Sequence, residues 1–398
     1  MKLMATRLVI ITLLLLYFVN NSSAQKLNTT VLQSSNFCDT IPFEYANGKI
    51  IMNATIADRS ARFILDTGAP FLLSDNLKNE LKLNSTDLMD VTDVTGKSKQ
   101  LAIVDVPQIA IGNIRFSDSR AIAYEKGMTG LMDCFNVEGL IGSTILKDCI
   151  VHIDTKQEII ILTDRIENTP VKNTTPIKMK LDENSRPFIN LRVGKKSVIE
   201  SLFDSGSDKL LPLSYTTFRR LEKEKEATVL NKGYGSISAG LFGSGKKGKE
   251  YRVAMETLQI TNAIKIENVI ATASEYKNKD AIGMGISQYG TVTIDYPGRK
   301  FYLNLYPAPP VKENKSFLGF HAQLSDGDFI ISAVYDDSPA SRAGVHIGQK
   351  ISQINNIKIN SLADICGVYL SGVVYEESII LTVIGQDGAS KTLTLTGD

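Results

Sequence analysis

Phe63-Ile64-Leu65-Asp66-Thr67-Gly68-Ala69 and Ser201-Leu202-Phe203-Asp204-Ser205-Gly206-Ser207 are two versions of one phrase. Each is an apolar, strand-like run that ends on an aspartate followed by a hydroxyl residue and a glycine. A carboxylate at the end of a buried strand is costly unless something holds it. Two of them brought face to face cannot both ionise, so they share a proton, and one acts as base while the other acts as acid. That chemistry suits attack by an activated water.

Asp-Ser/Thr-Gly alone often marks only a turn, but here the surroundings repeat as well. Gly139-Leu140-Ile141-Gly142 and then Ile150-Val151-His152-Ile153-Asp154 follow the first phrase. Asp280-Ala281-Ile282-Gly283 and then Thr291-Val292-Thr293-Ile294-Asp295 follow the second. The interval from Gly142 to Asp154 equals that from Gly283 to Asp295, twelve positions in each. The chain therefore contains one structural unit twice, each copy carrying one Asp. Short β-branched runs such as Lys49–Ile56, separated by frequent turn signals, predict a mostly β protein.

The pattern resembles the pepsin and retropepsin aspartic peptidases, in a bacterial-type, two-lobed, single-chain form with a C-terminal PDZ module. The resemblance implies a mainly β fold of two pseudo-symmetric acid-protease β-barrel lobes, at 41–166 and 176–306, with a strap around 168–176 between them. A Pro-rich linker at 307–314 then leads to a PDZ domain at 315–398, a β-sandwich with two helices. By the same likeness Asp66 and Asp204 are the catalytic dyad. Thr67 and Ser205 bond across the pseudo-twofold axis, Gly68 and Gly206 shape the two loops, and Gly142 and Gly283 sit in the segments that brace them. Ser207 is expected to donate to Asp204, whereas Ala69 at the matching position cannot help Asp66; fewer donors leave the pair less acidic and imply a weakly acidic to near-neutral optimum.

The family also carries a hairpin flap over its cleft. The candidates are Val91–Lys97, with Thr95 and Gly96, and the glycine-rich stretch Gly233–Gly245, with Tyr234 and Gly235. Which lobe supplies the working flap is open, as is the reading of both as ordinary surface hairpins. With both Asp loops in one chain, a monomer suffices.

Leu318-Gly319-Phe320, within Phe317–Phe320, resembles the carboxylate-binding loop of PDZ domains. Ser338-Pro339 opens one helix that Gly344 closes, and Ser361-Leu362-Ala363-Asp364 caps the helix that flanks the peptide groove. A peptide C-terminus would then add as a strand beside His321-Ala322-Gln323-Leu324. On this expectation the module targets protein substrates and is dispensable for small ones.

Composition narrows the classes further. A formal net charge of +1 gives no reason to expect nucleic acid as partner. Lys2 and Arg7, an apolar run from Leu8 to Val19 and Ser22-Ser23-Ala24 read as a signal peptide at 1–24, too short to span a bilayer, which implies a periplasmic or secreted protein. Whether 25–40 is a removable pro-segment is open. Three histidines without ligand spacing imply no metal, and no organic cofactor is expected. Gly243-Ser244-Gly245-Lys246-Lys247-Gly248 fits a dinucleotide-binding pattern, but the strand-like Glu250–Ala254 follows where a helix should open. Of four cysteines, Cys134 with Cys149 is the local pairing, and free thiols or a cross-domain bridge remain open. The expected partners are protein or peptide substrates. The alternative is a non-cleaving scaffold that binds peptides in the cleft and the PDZ groove.

Overall fold

The computed structural model describes residues 27–127, 130–171, 174–307 and 317–398. The expected leader and all of the linker after Pro307 lie outside the described residues. Among those described, no helix is long and apolar enough to cross a membrane.

The two Asp phrases build the same unit. Lys49–Ile56 and Arg59–Asp66 form an antiparallel hairpin, with Ile51 opposite Ile64. Gly139–Gly142 then adds in parallel, placing Gly142 opposite Asp66. In the second half Pro187–Val193 pairs antiparallel with Ser197–Asp204, and Ala281–Gly283 adds in parallel with Gly283 opposite Asp204. Both Asp strands are buried on both faces just before the carboxylate, which is why they read as unbroken apolar runs.

The repeated twelve-residue interval is explained by a sheet shared between the halves. Ile150–Asp154 pairs antiparallel with Gly290–Asp295, so the two copies meet strand to strand. Ile159–Thr163 and Cys38–Pro42 extend this sheet on one side, and Lys300–Leu305 and Ile177–Leu181 on the other. Asp154 and Asp295 end their strands by accepting turn N–H groups, from Lys156 and Gln157 at 2.9 and 3.1 Å and from Gly298 at 2.7 Å. His152 and Thr293 meet side by side, Nδ1 to Oγ1 at 2.8 Å. One apolar core runs through both lobes, from Phe63, Phe71 and Phe116 to Phe203, Phe218 and Phe301. Order begins before residue 41: Leu27 is 1% exposed, and Val31–Leu32 pairs with Ile114–Tyr124. Residues 27–42 are therefore woven into the fold and not appended to it.

The C-terminal module has its own core, with Phe329, Ile331, Ile351, Val368, Leu381 and Val383 at its centre. Its helices form where their caps dictate. Ser338 accepts from Ser341 N–H with Pro339 in the first turn and Gly344 closing at φ 82°, while Ser361 accepts from Asp364 N–H to start Leu362–Ser371.

Its placement overturns two expectations. First, Asp328–Tyr335 pairs antiparallel with Thr228–Gly235 of the second lobe, Gly233 opposite Tyr335 and Gly235 opposite Ala333. The module thus extends the second lobe's β-sheet and is not a tethered appendage. Second, the groove is filled by the chain itself. The 3-10 turn Gly130–Phe135 lies against both Phe320–Ser325 and the groove helix Leu362–Ser371. Leu131 packs on the module's core, Phe135 meets Tyr369 edge-on at 5.9 Å, and Cys134 is disulfide-bonded to Cys366. The local pairing with Cys149 does not form, because Cys149 is buried in the first lobe's core while Cys134 faces the groove helix. Burial pushes the free Cys149 thiol up to about 12, and Cys38 is free and exposed.

The bridge closes 232 residues of chain, and a bridge of this kind contributes about 2–4 kcal/mol. Cys134→Ser is expected to lower the thermal midpoint and to speed amide exchange in Leu362–Ser371 while leaving Ile150–Asp154 protected. Unchanged exchange in that helix would show that the apolar contacts hold the turn in the groove unaided.

Candidate active site

Four reciprocal hydrogen bonds hold the two Asp loops together. Thr67 N–H donates to Ser205 Oγ at 2.9 Å and Ser205 N–H to Thr67 Oγ1 at 3.0 Å. Each hydroxyl then donates across the axis to the carbonyl before the opposite Asp, Thr67 to Phe203 at 2.7 Å and Ser205 to Leu65 at 2.8 Å. Both side chains are fully buried and each hydroxyl is both acceptor and donor, so neither can be lost without orphaning a buried group. Gly68 N–H bonds Asp66 Oδ1 at 2.9 Å, and Gly206 N–H bonds Asp204 Oδ1 at 3.0 Å.

The carboxylates face each other across this joint. A Cβ on Gly68 would stand 2.7 Å from Asp204 Oδ1, and one on Gly206 would collide with the Asp66 carboxylate. Only glycine allows each loop to pass this close to the other's acid. Behind them, Ser143 Oγ donates to Thr67 C=O at 2.7 Å and contacts Tyr296 Oη at 3.0 Å, fixing the loop from below. Gly142 and Gly283 lie flush against the backbones of Ala69–Pro70 and of Ser207 and Lys209.

Burial and the neighbouring Asp204 push Asp66 up to about 7, against the opposing pull of Lys49 and the Gly68 N–H. Below about pH 7 the Asp66 carboxyl therefore keeps its proton. Lys49 is a site residue that sequence reading passes over. It begins the strand Lys49–Ile56, is buried, and its Nζ donates to Gly206 C=O, tying the first lobe to the second Asp loop. A lysine at the mouth of an otherwise apolar strand, two residues after Asn47-Gly48, is the signal that was available.

Hairpins from both lobes form a roof beside Asp204. The hairpin of Ser85–Thr92 and Ser98–Ile111 turns at Asp93–Lys97, and the hairpin of Thr228–Gly235 and Gly248–Gln259 carries the loop 236–247. They meet: Asp93 Oδ2 accepts from Phe242 N–H at 2.9 Å, Lys97 Nζ donates to Phe242 C=O at 3.2 Å, and Leu241 packs on the first lobe beside Met89, Val91 and Leu101. Beneath lies a cavity lined by Asp204, Val94 and Thr95 from one hairpin and Ile237, Ser238 and Ala239 from the other. Both candidate hairpins, one from each lobe, thus contribute to the lining of this cavity.

Several expected residues fall elsewhere. Thr95 is buried and reaches the cavity, but Gly96 only shapes its turn, at φ 78°. Tyr234 is 52% exposed on a strand between Lys249 and Val334, facing solvent and not the cleft. Gly235 lies against Ser332 and Ala333, where a Cβ would clash, so it serves the pairing with the C-terminal module. Ser207 lines the cavity but makes no side-chain hydrogen bond to Asp204 among the described residues; its N–H bonds Asp204 C=O at 3.1 Å. What makes Asp66 less acidic is therefore not the asymmetry with Ala69 but burial and the neighbouring Asp204, and Lys49 opposes them. In the module's loop, Leu318 is buried in its core, Gly319 adopts φ 84°, and Phe320 packs against the core beside the occupied groove. The glycine-rich pattern Gly243–Gly248 lies in the roof loop and leads into a strand, as its context required. Among the described residues no three His, Cys, Asp or Glu side chains gather as they would around a metal.

Residues 52–145 match the family model described as Aspartyl protease, and residues 330–371 match the one described as PDZ domain. No curated protein matches the chain. Among solved structures, it is similar to an aspartic proteinase from Irpex lacteus at 9% identity, covering 70% of this chain and 100% of that one, with a TM-score of 0.42. It is also similar to a retropepsin-like aspartic protease from Rickettsia conorii, at 20% identity over 34% of this chain and 92% of that one, TM-score 0.24. Basic 7S globulin from soybean gives 10% identity over 68% and 95%, TM-score 0.38. An aspartyl-protease segment carrying Asp66 and a PDZ segment are thus combined in one mainly β chain.

Lys49 lowers the Asp66 pKa, so removing its charge should raise it. A carbon-detected NMR titration is expected to show an Asp66 carboxyl titrating near 7 in the parent protein and higher in Lys49→Met, with Lys49→Arg restoring the parent value. No movement in Lys49→Met would remove Lys49 from the electrostatics of the pair.

Proposed function

We propose that this protein is an aspartic endopeptidase that hydrolyses peptide bonds with Asp66 and Asp204. The observation that carries the reading is the reciprocal Thr67–Ser205 joint, which holds two carboxyl groups face to face beside a two-hairpin roof. In the single-proton state Asp66 carries the proton, and the ionised partner takes a proton from a water held between them as its oxygen adds to the peptide carbonyl carbon. Asp66 gives its proton to the carbonyl oxygen. The diol then collapses: the C–N bond breaks, the amine leaves with a proton from the dyad, and a diol hydroxyl returns one. Water has been added across the bond, and the dyad again holds one proton.

A non-cleaving peptide binder is the competing reading. It would need the cleft and roof but gives no reason for two carboxyls, each fixed by its own glycine N–H, at a buried joint. The Cys134–Cys366 bridge supports export through the leader at 1–24, because such bridges persist in oxidising compartments. For the PDZ segment we propose bracing as the resting role. Ser236 N–H and Ser332 C=O bond at 2.9 Å, Ser332 Oγ donates to Ser236 C=O at 2.8 Å, and Gln323 Nε2 to Ser238 C=O at 3.1 Å, all at the root of the roof loop. Capture of peptide C-termini in the groove would follow only displacement of Gly130–Phe135.

Asp66→Asn and Asp204→Asn are each expected to abolish cleavage of a denatured protein or peptide library while circular dichroism stays that of the parent. Turnover near the parent's in either variant overturns the reading. Because the dyad must keep Asp66 protonated, the rate should fall as pH rises through about 7; a rate still climbing past pH 8 would place the proton elsewhere. Deletion of 308–398 should impair small peptides and proteins alike, since it strips Gly233–Gly235, at the root of the roof loop, of its pairing with Asp328–Tyr335. Retained small-peptide cleavage would show that the roof needs no brace.

A further inference from the structure

We propose that the cavity beside Asp204 is a subsite for an acidic side chain, so that the enzyme selects peptides with Glu or Asp next to the scissile bond. The inference deepens the peptidase reading and rests on it. The cavity measures about 170 Å³, well above the roughly 10–15 Å³ that one water needs on the same measure, which leaves room for a side chain. Lys49, Lys209, Lys246 and Lys277 line it against Asp204, Asp208 and Glu250.

The acids there are already engaged. Asp204 shares the dyad's proton with Asp66. Asp208 is held below the usual carboxyl range: burial would raise it, but Lys49 and Lys209 more than reverse that. Glu250 is pushed up to about 7 by burial and accepts from Ser274 Oγ, so it carries little charge in the acidic range where the dyad works. On the basic side, Lys49 is committed to Gly206 C=O.

Lys209 and Lys277 are not fixed by a contact; Lys209 feels the charge of Asp208 but forms no ion pair with it among the described residues. Both are half-buried in the cavity wall, and neither ammonium has a hydrogen bond or an ion pair among the described residues. Burial lowers the pKa of each, more than Asp208 restores it for Lys209 or Asp204 and Asp280 for Lys277. A shielded cation without a close partner is costly, and a substrate carboxylate entering the cavity would supply that partner. Lys246 stands exposed at the rim near the Tyr276 ring, where it adds to the field that draws an anion in. An apolar side chain entering the same space would leave both ammonium groups shielded and unpaired.

The test uses matched peptide pairs that differ only by Glu against Gln at one position, scanned through the positions flanking the cleaved bond. Binding to full-length Asp66→Asn protein is measured by fluorescence anisotropy, and kcat/KM on the active protein in parallel. At one position Glu should be favoured over Gln by at least about tenfold in both readouts, and the advantage should shrink at high salt. Lys209→Met and Lys277→Met should each bring the Glu-to-Gln ratio toward one, read within each variant so that a general loss of activity cancels. A ratio near one at every position in the parent, or a ratio unmoved by both substitutions, overturns the subsite. A Glu preference in binding without any cleavage by the parent would instead sustain the subsite and overturn the peptidase reading.

Discussion

Everything at the centre of this molecule depends on two hydroxyls that each accept one hydrogen bond and donate another across a pseudo-twofold axis. Thr67 and Ser205 are sealed from water, so their exchange cannot be replaced by solvent. It fixes two loops whose acids face each other, so that burial and Asp204 together push the Asp66 pKa up. The shared sheet beneath, with Ile150–Asp154 against Gly290–Asp295, joins the same two halves over a longer span. The joint is precise because short hydrogen bonds set it, and rigid because a sheet and one continuous core stand behind it.

The fold was legible because duplication writes its own grammar. Two Asp phrases, two glycine braces and two equal intervals could be matched residue for residue, and each turned out to mark a strand end or a strand crossing. The helix caps at Ser338 and Ser361 were equally readable, because capping is local chemistry. What could not be read was contact between segments far apart in sequence. Nothing around Cys134 announces Cys366, and the side of a strand that Tyr234 faces depends on a sheet partner a hundred residues away. Lys49 was missed for a related reason. One lysine opening an apolar strand carries no spacing signal, and its meaning comes only from the carbonyl of Gly206 on the other lobe.

Charge is distributed around the cleft with a clear division. Asp66 and Asp204 lie at the joint, held by backbone N–H groups, while four amines line the wall on the Asp204 side together with Asp208 and Glu250. Lys49 belongs to both regions, since it moderates the pKa of Asp66 and compensates Asp208. Burial supplies the upward pressure on Asp66, and this single amine supplies much of the restraint.

The C-terminal module closes a ring. The first lobe grips it through the turn Gly130–Phe135 and a covalent bond, its strand Asp328–Tyr335 continues the second lobe's sheet, and that sheet's loop returns to the first lobe at Asp93 and Phe242. Three joints in series enclose the cleft, and they are unequal in strength: one is a disulfide, one a run of sheet hydrogen bonds, and one a few polar contacts at a loop tip. Under load such a ring yields at its weakest joint. The seam at the loop tip is therefore where the ring parts first, and the lobes can stay still while it opens.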